Sequence, residues 1–390
     1  MVNRVAIDEI KDLLEAFPAI MFSGPRQVGK TTLAKYVEKV SVKPVYYLDL
    51  EKEEDYNLLK NNAYEFLVSI KDYCVVIDEV QTLPSIFSAL RPIIDEHRVP
   101  GRFVLLGSAN LSLVKGVSET LAGRIVYLDI HQIDLLEATA AEISLETHWL
   151  KGGFPEQLLS KSEKIWKIWT ENFIKSYIYR DINFLFGIDL SPIIVDKLWN
   201  ILASQNSGIE NVENISRAIG VSPNTTKKYL EFLEGAYLIH RLPAFHINNG
   251  KRLVKSAKLY LRTQGILHFL LKIYNINQLQ NNIAVGGSWE GYVIEQIYCL
   301  RPTQSRLYYY RTHNGAEVDL IIAHGNNAMA TVEIKHSVTP DLTKGYYESI
   351  ADINAPKNYI ICTGKVKWKL KDNIIVCSLE DFLKNELPNL

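Results

Sequence analysis

The chain has 390 residues, 47% of them hydrophobic and 22% charged, and 43 Lys plus Arg stand against 44 Asp plus Glu for a formal charge of −1. This length predicts two or three domains, and the composition argues against long disorder. The near-neutral balance excludes a uniformly basic nucleic-acid binder, so any DNA contact must come from a local patch. Four scattered cysteines (Cys74, Cys299, Cys362, Cys377) form no C-x-x-C pair. Neither a disulfide framework nor a zinc site is implied, and a reducing cytoplasm fits. The nine histidines show no ligand spacing. The opening MVNRVAIDEIKDLLEAFP patterns as an amphipathic helix rather than a signal peptide, and no apolar run approaches the ~18 residues of a membrane helix. The expectation is a soluble protein with no membrane partner.

In chain order, AIMFSG (19–24) reads as a buried strand feeding SGPRQVGKTT (23–32). That stretch contains G-x-x-x-x-G-K-[ST] between a strand and a helix, the context of a phosphate-binding loop. Gly24, Pro25, Arg26, Gln27, Val28 and Gly29 would wrap the phosphates, all but Pro25 able to offer a backbone N–H, joined by Thr32 at the start of the helix. Lys30 would reach the β- and γ-phosphates, and Thr31 would ligate Mg²⁺.

VYYLDL (45–50), CVVIDEV (74–80), RFVLLGSA (102–109) and RIVYLDI (124–130) are further strands, and continuous apolar runs separated by helices predict a parallel sheet. In CVVIDEVQ, Asp78 would hold Mg²⁺ through water and Glu79 would polarise the attacking water. In FVLLGSANLS, Asn110 or Ser108 would stand beside the γ-phosphate as a sensor, the alternative being a helix cap. Arg124 in LAGRIVYLDI would reach the γ-phosphate of a neighbouring subunit in a homo-oligomer; the alternative is an ion pair within the chain.

Residues 131–205 turn helical, and NVENISRAIGVSPNTTKKYLEFLEGAYLIHRL (211–242) reads as helix, tight turn, helix and hairpin. Ser222 and Pro223 suit a helix start. Asn224, Thr225, Lys227 and Lys228 would then face outward, as in a winged helix-turn-helix that binds DNA, with YLIHRLPAFHI as the wing. A winged module for protein contacts is the alternative.

Strands return after residue 250. RTHNGAEVDLIIAHGNNAMATVEIKHS puts Asp319 on one strand and Glu333 and Lys335 on the next, with period-two alternation placing the last two on one face. Asp319 and Glu333 would bind Mg²⁺, Glu290 from the preceding helix would complete the set, and Lys335 would steady a phosphate or orient water. A cross-strand ion pair without metal is the alternative.

The series of phosphate loop, IDEVQ, LLGSAN and LAGR resembles AAA+ ATPases. With GGFPE (152–156), YIYRDI (177–182) and the carboxylate motif, the chain resembles the predicted bacterial and archaeal AAA-type ATPases that carry a restriction-endonuclease-like C-terminal domain of unknown function. The resemblance covers nearly the whole chain and implies ATP as the nucleotide. One departure stands in LYLRTQGIL, where the family often has Asp and this chain has Thr263.

The expected fold class is therefore α/β: an AAA+ P-loop core with a parallel sheet (1–135), a helical lid (136–206), a winged helix-turn-helix (207–250) and a restriction-endonuclease-like domain (251–390). The expected function is ATP hydrolysis acting on nucleic acid, with ATP and Mg²⁺ as cofactors and a possible Mg-dependent nuclease-like site. The alternative is an ATP-dependent regulatory switch whose C-terminal domain is a non-catalytic interaction module.

Overall fold

Strands made of Val, Ile, Leu and Phe without polar alternation are stable only where both faces of the sheet are covered. The computed structural model describes residues 2–108, 121, 123–181 (side chains to 177), 191–247, 253–364, 367–371 and 373–390. In it, β1 (Ala19–Ser23), β2 (Val45–Asp49), β3 (Cys74–Asp78), β4 (Phe103–Gly107) and β5 (Ile125–Asp129) form a parallel sheet in the order β2-β3-β4-β1-β5. The central strands β1, β3 and β4 are buried throughout, and the edge strands β2 and β5 only in part. Helices Lys30–Val40, Glu53–Ser69 and Ile86–Glu96 are the crossovers that parallel pairing requires.

The chain folds as two compact units, each built from several segments. The first takes Met1–Ile133, Glu171–Pro192 and Tyr229–Leu238 and contains the parallel sheet. The second takes Asp134–Thr170, Ile193–Lys228 and Ile239–Leu390.

Two further sheets lie in the second unit. β6 (Gly208–Ile209), β7 (Ile239–Leu242) and β8 (Lys258–Leu261) pair antiparallel in the order β6-β8-β7. The hairpin expected within residues 237–247 does not form, because β7 pairs with β8 instead. Pro243 has no N–H to give a hairpin ladder, and the next residues turn away. Ala244 bridges to Tyr309, and the Phe245 N–H donates to the Tyr309 carbonyl at 2.7 Å.

The largest sheet holds β9 (Ser305–Arg311), β10 (Glu317–His324), β11 (Asn327–Ile334), β12 (Lys357–Cys362), β13 (Lys367–Lys371) and β14 (Ile374–Ser378), in the order β13-β14-β12-β11-β10-β9. Two apolar clusters are built on its residues. One joins Leu320, Val332 and Tyr359 to Trp289, Tyr292 and Val293 of the helix Val285–Leu300. The other joins Tyr310, Val318 and Ile360 to Tyr346 and Ile353 of the helix Lys344–Ile353. Among the described residues no helix is long and apolar enough to cross a membrane.

Candidate nucleotide site and carboxylate pocket

β1 ends at Ser23, and the chain turns at Gly24. A Cβ there would lie 2.1 Å from the Ile130 carbonyl oxygen, so the loop can leave the sheet only through glycine. Gly29, with a left-handed φ of 98°, opens the helix Lys30–Val40. Lys30 is buried, and its Nζ donates to the Gly24 and Pro25 carbonyls at 2.9 and 2.8 Å. Burial pulls this ammonium down to about 8, against the opposing pull of Glu79 and Asp78. Of the other loop residues, Pro25 and Val28 are buried, Gln27 is exposed at φ 65°, and Arg26 pairs with Glu51 at 3.1 Å. Thr31 and Thr32 are exposed in the first helical turn.

The Thr31 hydroxyl donates to Asp78 Oδ2 at 2.9 Å, and the Tyr47 hydroxyl of β2 donates to the same oxygen. Asp78 Oδ1 accepts the Glu79 backbone N–H at 2.9 Å. Glu79 stands just past β3 in the left-handed region, φ 55° and ψ 45°, which aims its side chain toward β4. There Ser108 Oγ donates to Glu79 Oε1 at 2.9 Å, and Gln81 Nε2 donates to Oε2. These are hard oxygen donors beside a helix N-terminus, and the set fits Mg²⁺ with a nucleotide phosphate. Asn110 lies outside the described residues. Arg124 forms a two-pronged pair with Asp95, Nε to Oδ1 at 2.6 Å and Nη2 to Oδ2 at 2.9 Å, which is the in-chain partner the sequence left open.

Tyr47 and Gln81 were not foreseen. Gln81 sits two residues past Glu79 in the motif already singled out. Tyr47 could have been found from the parallel register of β2 and β3, in which Asp49 lies beside Asp78.

In the second unit a cavity of about 370 Å³ is lined by polar groups that include Lys258, Glu290, Arg311, Glu317, Asp319 and Glu333, with Lys335 at its wall. The four residues read from the sequence, Glu290, Asp319, Glu333 and Lys335, thus share one cavity. The pairing of β10 with β9 shifts register between Val318 and Ile321, around Asp319. Such a bulge re-aims a side chain, and Asp319 Oδ2 accepts the Ile334 N–H of β11 at 2.9 Å.

Lys335 Nζ pairs with Glu333 Oε1 at 2.7 Å, while Glu333 Oε2 is buried without a hydrogen-bond partner. Burial, then the Asp319 charge, push the Glu333 carboxyl up to about 8. The same two causes push Glu290 up to about 7, and burial raises Asp319.

Lys258 of β8 was not anticipated. Its ammonium, 4% exposed, lies 2.8 Å from Glu290 Oε1, 2.6 Å from Glu317 Oε1 and 3.8 Å from Asp319 Oδ1. Tyr260 donates to the same Glu290 oxygen at 2.6 Å. Burial alone would lower the Lys258 pKa, but Glu290, Asp319 and Glu317 outweigh it and hold the group charged. Alternation along the strands carries the missed signal: Lys258 and Tyr260 share a face, as do Glu317 and Asp319.

The carboxylate oxygens, one of them orphaned, suit a hard divalent ion. Yet among the described residues no three His, Cys, Asp or Glu side chains form a ready metal cage. The carboxylates converge on Lys258 instead.

Two further motifs are packed together, while YIYRDI lies largely outside the described side chains. A Cβ on Gly265 would lie 1.9 Å from the Lys151 carbonyl oxygen, and one on Gly152 would lie 2.8 Å from Thr263 Cγ2. The GG of GGFPE and the TQG segment therefore pack against each other. Thr263, where the resemblance leads one to look for Asp, is the N-cap of the helix Gln264–Leu270 and makes no side-chain capping bond.

An uncharacterized protein of Mycobacterium tuberculosis is 30% identical to this chain over 381 residues, 98% of the chain and 84% of the relative. The chain belongs to the family of that mycobacterial protein. An uncharacterized protein of Methanocaldococcus jannaschii is 24% identical over 362 residues, 85% of this chain and 78% of the relative. In this chain, residues 16–139 match an AAA domain, residues 142–277 match one domain of unknown function, and residues 285–382 match another. The AAA match spans the phosphate loop and the parallel sheet, so the N-terminal part is an AAA-type P-loop ATPase domain suited to binding ATP. A Walker-type ATPase of Pyrococcus abyssi overlays 70% of this chain and 96% of its own at 14% identity, with a TM-score of 0.45.

Proposed function

We propose that this chain hydrolyses ATP and uses the cycle to act on nucleic acid, with the C-terminal carboxylate pocket as a divalent-ion-dependent, nuclease-like site. The observation that carries the ATPase part is the hydrogen-bond set around Asp78 and Glu79. Thr31 and Asp78 would hold Mg²⁺, which supplies charge neutralisation at the phosphates when bound. The loop from Gly24 to Gly29, with Lys30 and Thr32, would bind the triphosphate. In this reading Lys30 exchanges its two carbonyl partners for phosphate oxygens. Glu79, released from Gln81, orients the attacking water, and Ser108 or Asn110 fixes its position. Arg124 would leave Asp95 for the γ-phosphate of a neighbouring copy.

The nucleic-acid part rests on the pocket of Asp319, Glu333, Lys335 and Glu290, and on the exposed Asn224, Lys227 and Lys228 of the helix Pro223–Gly235. The division at 135, 206 and 250 into core, lid, winged module and nuclease-like domain belongs to the same proposal. One observation favours a second reading, a regulatory switch with a non-catalytic C-terminal module: the ion pairs of Lys258 already satisfy three of the carboxylates.

The deciding experiment measures ATP turnover and DNA cleavage by the purified chain, with and without single-stranded, duplex and branched DNA. DNA-stimulated turnover together with metal-dependent cleavage supports the first reading. Turnover indifferent to DNA, with no cleavage in Mg²⁺ or Mn²⁺, sinks it in favour of the switch.

A further inference from the structure

The pocket of the second unit has its cation built in. Four carboxylates line it, Glu290, Glu317, Asp319 and Glu333, and three cations answer them, Lys258, Lys335 and Arg311. Arg311 Nη1 reaches Glu317 Oε2 at 3.0 Å from the rim, 40% exposed. Lys335 serves Glu333. Lys258 alone is deeply buried, and it is the one cation in contact with three carboxylates at once. One further group points to a missing ligand: Glu333 is 6% exposed, and its Oε2 has no hydrogen-bond partner. A buried carboxylate oxygen with no donor is costly, and a cation arriving at the pocket would satisfy it.

We propose that the ammonium of Lys258 is the resident cation of this pocket, and that a divalent ion enters only by displacing it from Glu290 and Asp319. Lys258 is then a gate on metal occupancy. The proposal rests on the metal-binding part of the function proposed above and adds its regulation. The physical reason is crowding of like charge. An ammonium and a divalent ion cannot share the same carboxylates a few ångströms apart without strong repulsion in a poorly solvated cavity. Whatever draws Lys258 aside, a phosphodiester being the natural counter-ion for an ammonium, would admit the metal. The pocket would then load metal together with substrate.

The test uses the nucleotide-free 390-residue chain and Mn²⁺ as probe. Bound Mn²⁺ is counted by electron paramagnetic resonance, and thermal unfolding is followed with Mn²⁺ or with chelator. Wild type, Lys258→Met, Lys258→Arg and the double variant Lys258→Met/Asp319→Asn are compared. The proposal expects Lys258→Met to bind one Mn²⁺ at least tenfold tighter than wild type. The same variant should melt lower than wild type in chelator and recover with Mn²⁺. Lys258→Arg, which keeps the charge, should bind no better than wild type, and the double variant should lose both binding and recovery.

If Lys258→Met is too unstable to purify without metal, refolding it with and without Mn²⁺ gives the same reading. A chain that stays unfolded in both overturns the proposal. Wild type binding an Asp319-dependent Mn²⁺ as tightly as Lys258→Met would remove the gate but leave the metal site standing. No Asp319-dependent Mn²⁺ in any variant would overturn the gate and the metal reading together.

Discussion

Arg124 grips Asp95 through two parallel hydrogen bonds, 2.6 and 2.9 Å long, between the start of β5 and the helix Ile86–Glu96. Arg124 is half-buried and Asp95 exposed, 23% and 48%, so the pair is partly screened and open to exchange for a stronger anion. If Arg124 serves a neighbouring copy, Arg124→Ala keeps its ATP affinity and loses roughly 10³-fold or more in turnover, the range for arginine fingers. Mixing Arg124→Ala with Lys30→Ala protein then restores part of the activity, because one copy supplies the arginine and the other the pocket. No rescue in a mixture shown to exchange subunits assigns Arg124 to its own chain.

Lys30 and Glu79 separate binding from chemistry. Lys30→Ala removes the one buried cation of the phosphate loop and should abolish tight ATP binding. Glu79→Gln retains the shape and the Ser108 contact, and should bind ATP normally while turnover stops. Equilibrium binding of a fluorescent ATP analogue, beside a steady-state phosphate-release assay, checks both. Undiminished turnover in Glu79→Gln would remove Glu79 from the mechanism.

The raised carboxyls set a pH dependence of stability. Glu333 at about 8 and Glu290 at about 7 hold protons in the folded chain that an ordinary glutamate, near 4.3, gives up when unfolded. From about pH 4.5 to 8 the folded state therefore binds more protons than the unfolded state, and stability falls as pH rises through that window. Glu333→Gln cannot ionise, so its stability should fall less between pH 5 and 8 than that of wild type. Urea denaturation at the two pH values measures the difference. An equal slope in the two proteins would show that Glu333 titrates normally.

Gly265→Ala tests the packing of the GGFPE and TQG segments. The new methyl would meet the Lys151 carbonyl at 1.9 Å, a backbone atom that cannot swing away. Overpacking of this kind costs about 1–3 kcal/mol or more, and the loss should appear as a lower urea midpoint. Gly220→Ala is a poor control, since its φ is positive. Gly286→Ala, where a Cβ would meet nothing within 4 Å, should stay near wild type.

The parts of this molecule that sequence made legible are those where one residue type answers one physical need. The runs AIMFS, CVVID and FVLLG can only be buried strands, and they are. Gly24 and Gly29 mark a phosphate loop because a Cβ would collide at the first and the left-handed φ of the second favours glycine. The alternation of Glu333 and Lys335 is legible for the same reason. Lys258 and Tyr260 were not, because their partner Glu290 lies 30 or more residues away and only the tertiary fold brings it near. β13 is not legible, because all five residues of KWKLK are exposed and no burial pattern marks the strand. The hairpin expected within residues 237–247 is absent because Pro243 and Ala244 are recruited to β9, a pairing that local sequence does not encode.

The chain passes between its two units five times, at residues 133, 170, 192, 228 and 238. Severing it once cannot separate them. A fragment ending near residue 135 would lack Glu171–Pro192 and Tyr229–Leu238, and with them Tyr177, whose hydroxyl reaches the Ser108 carbonyl at 3.3 Å. Such a fragment should express poorly or aggregate. A protease that nicks the intact protein at one exposed loop should leave two pieces that still elute as one particle.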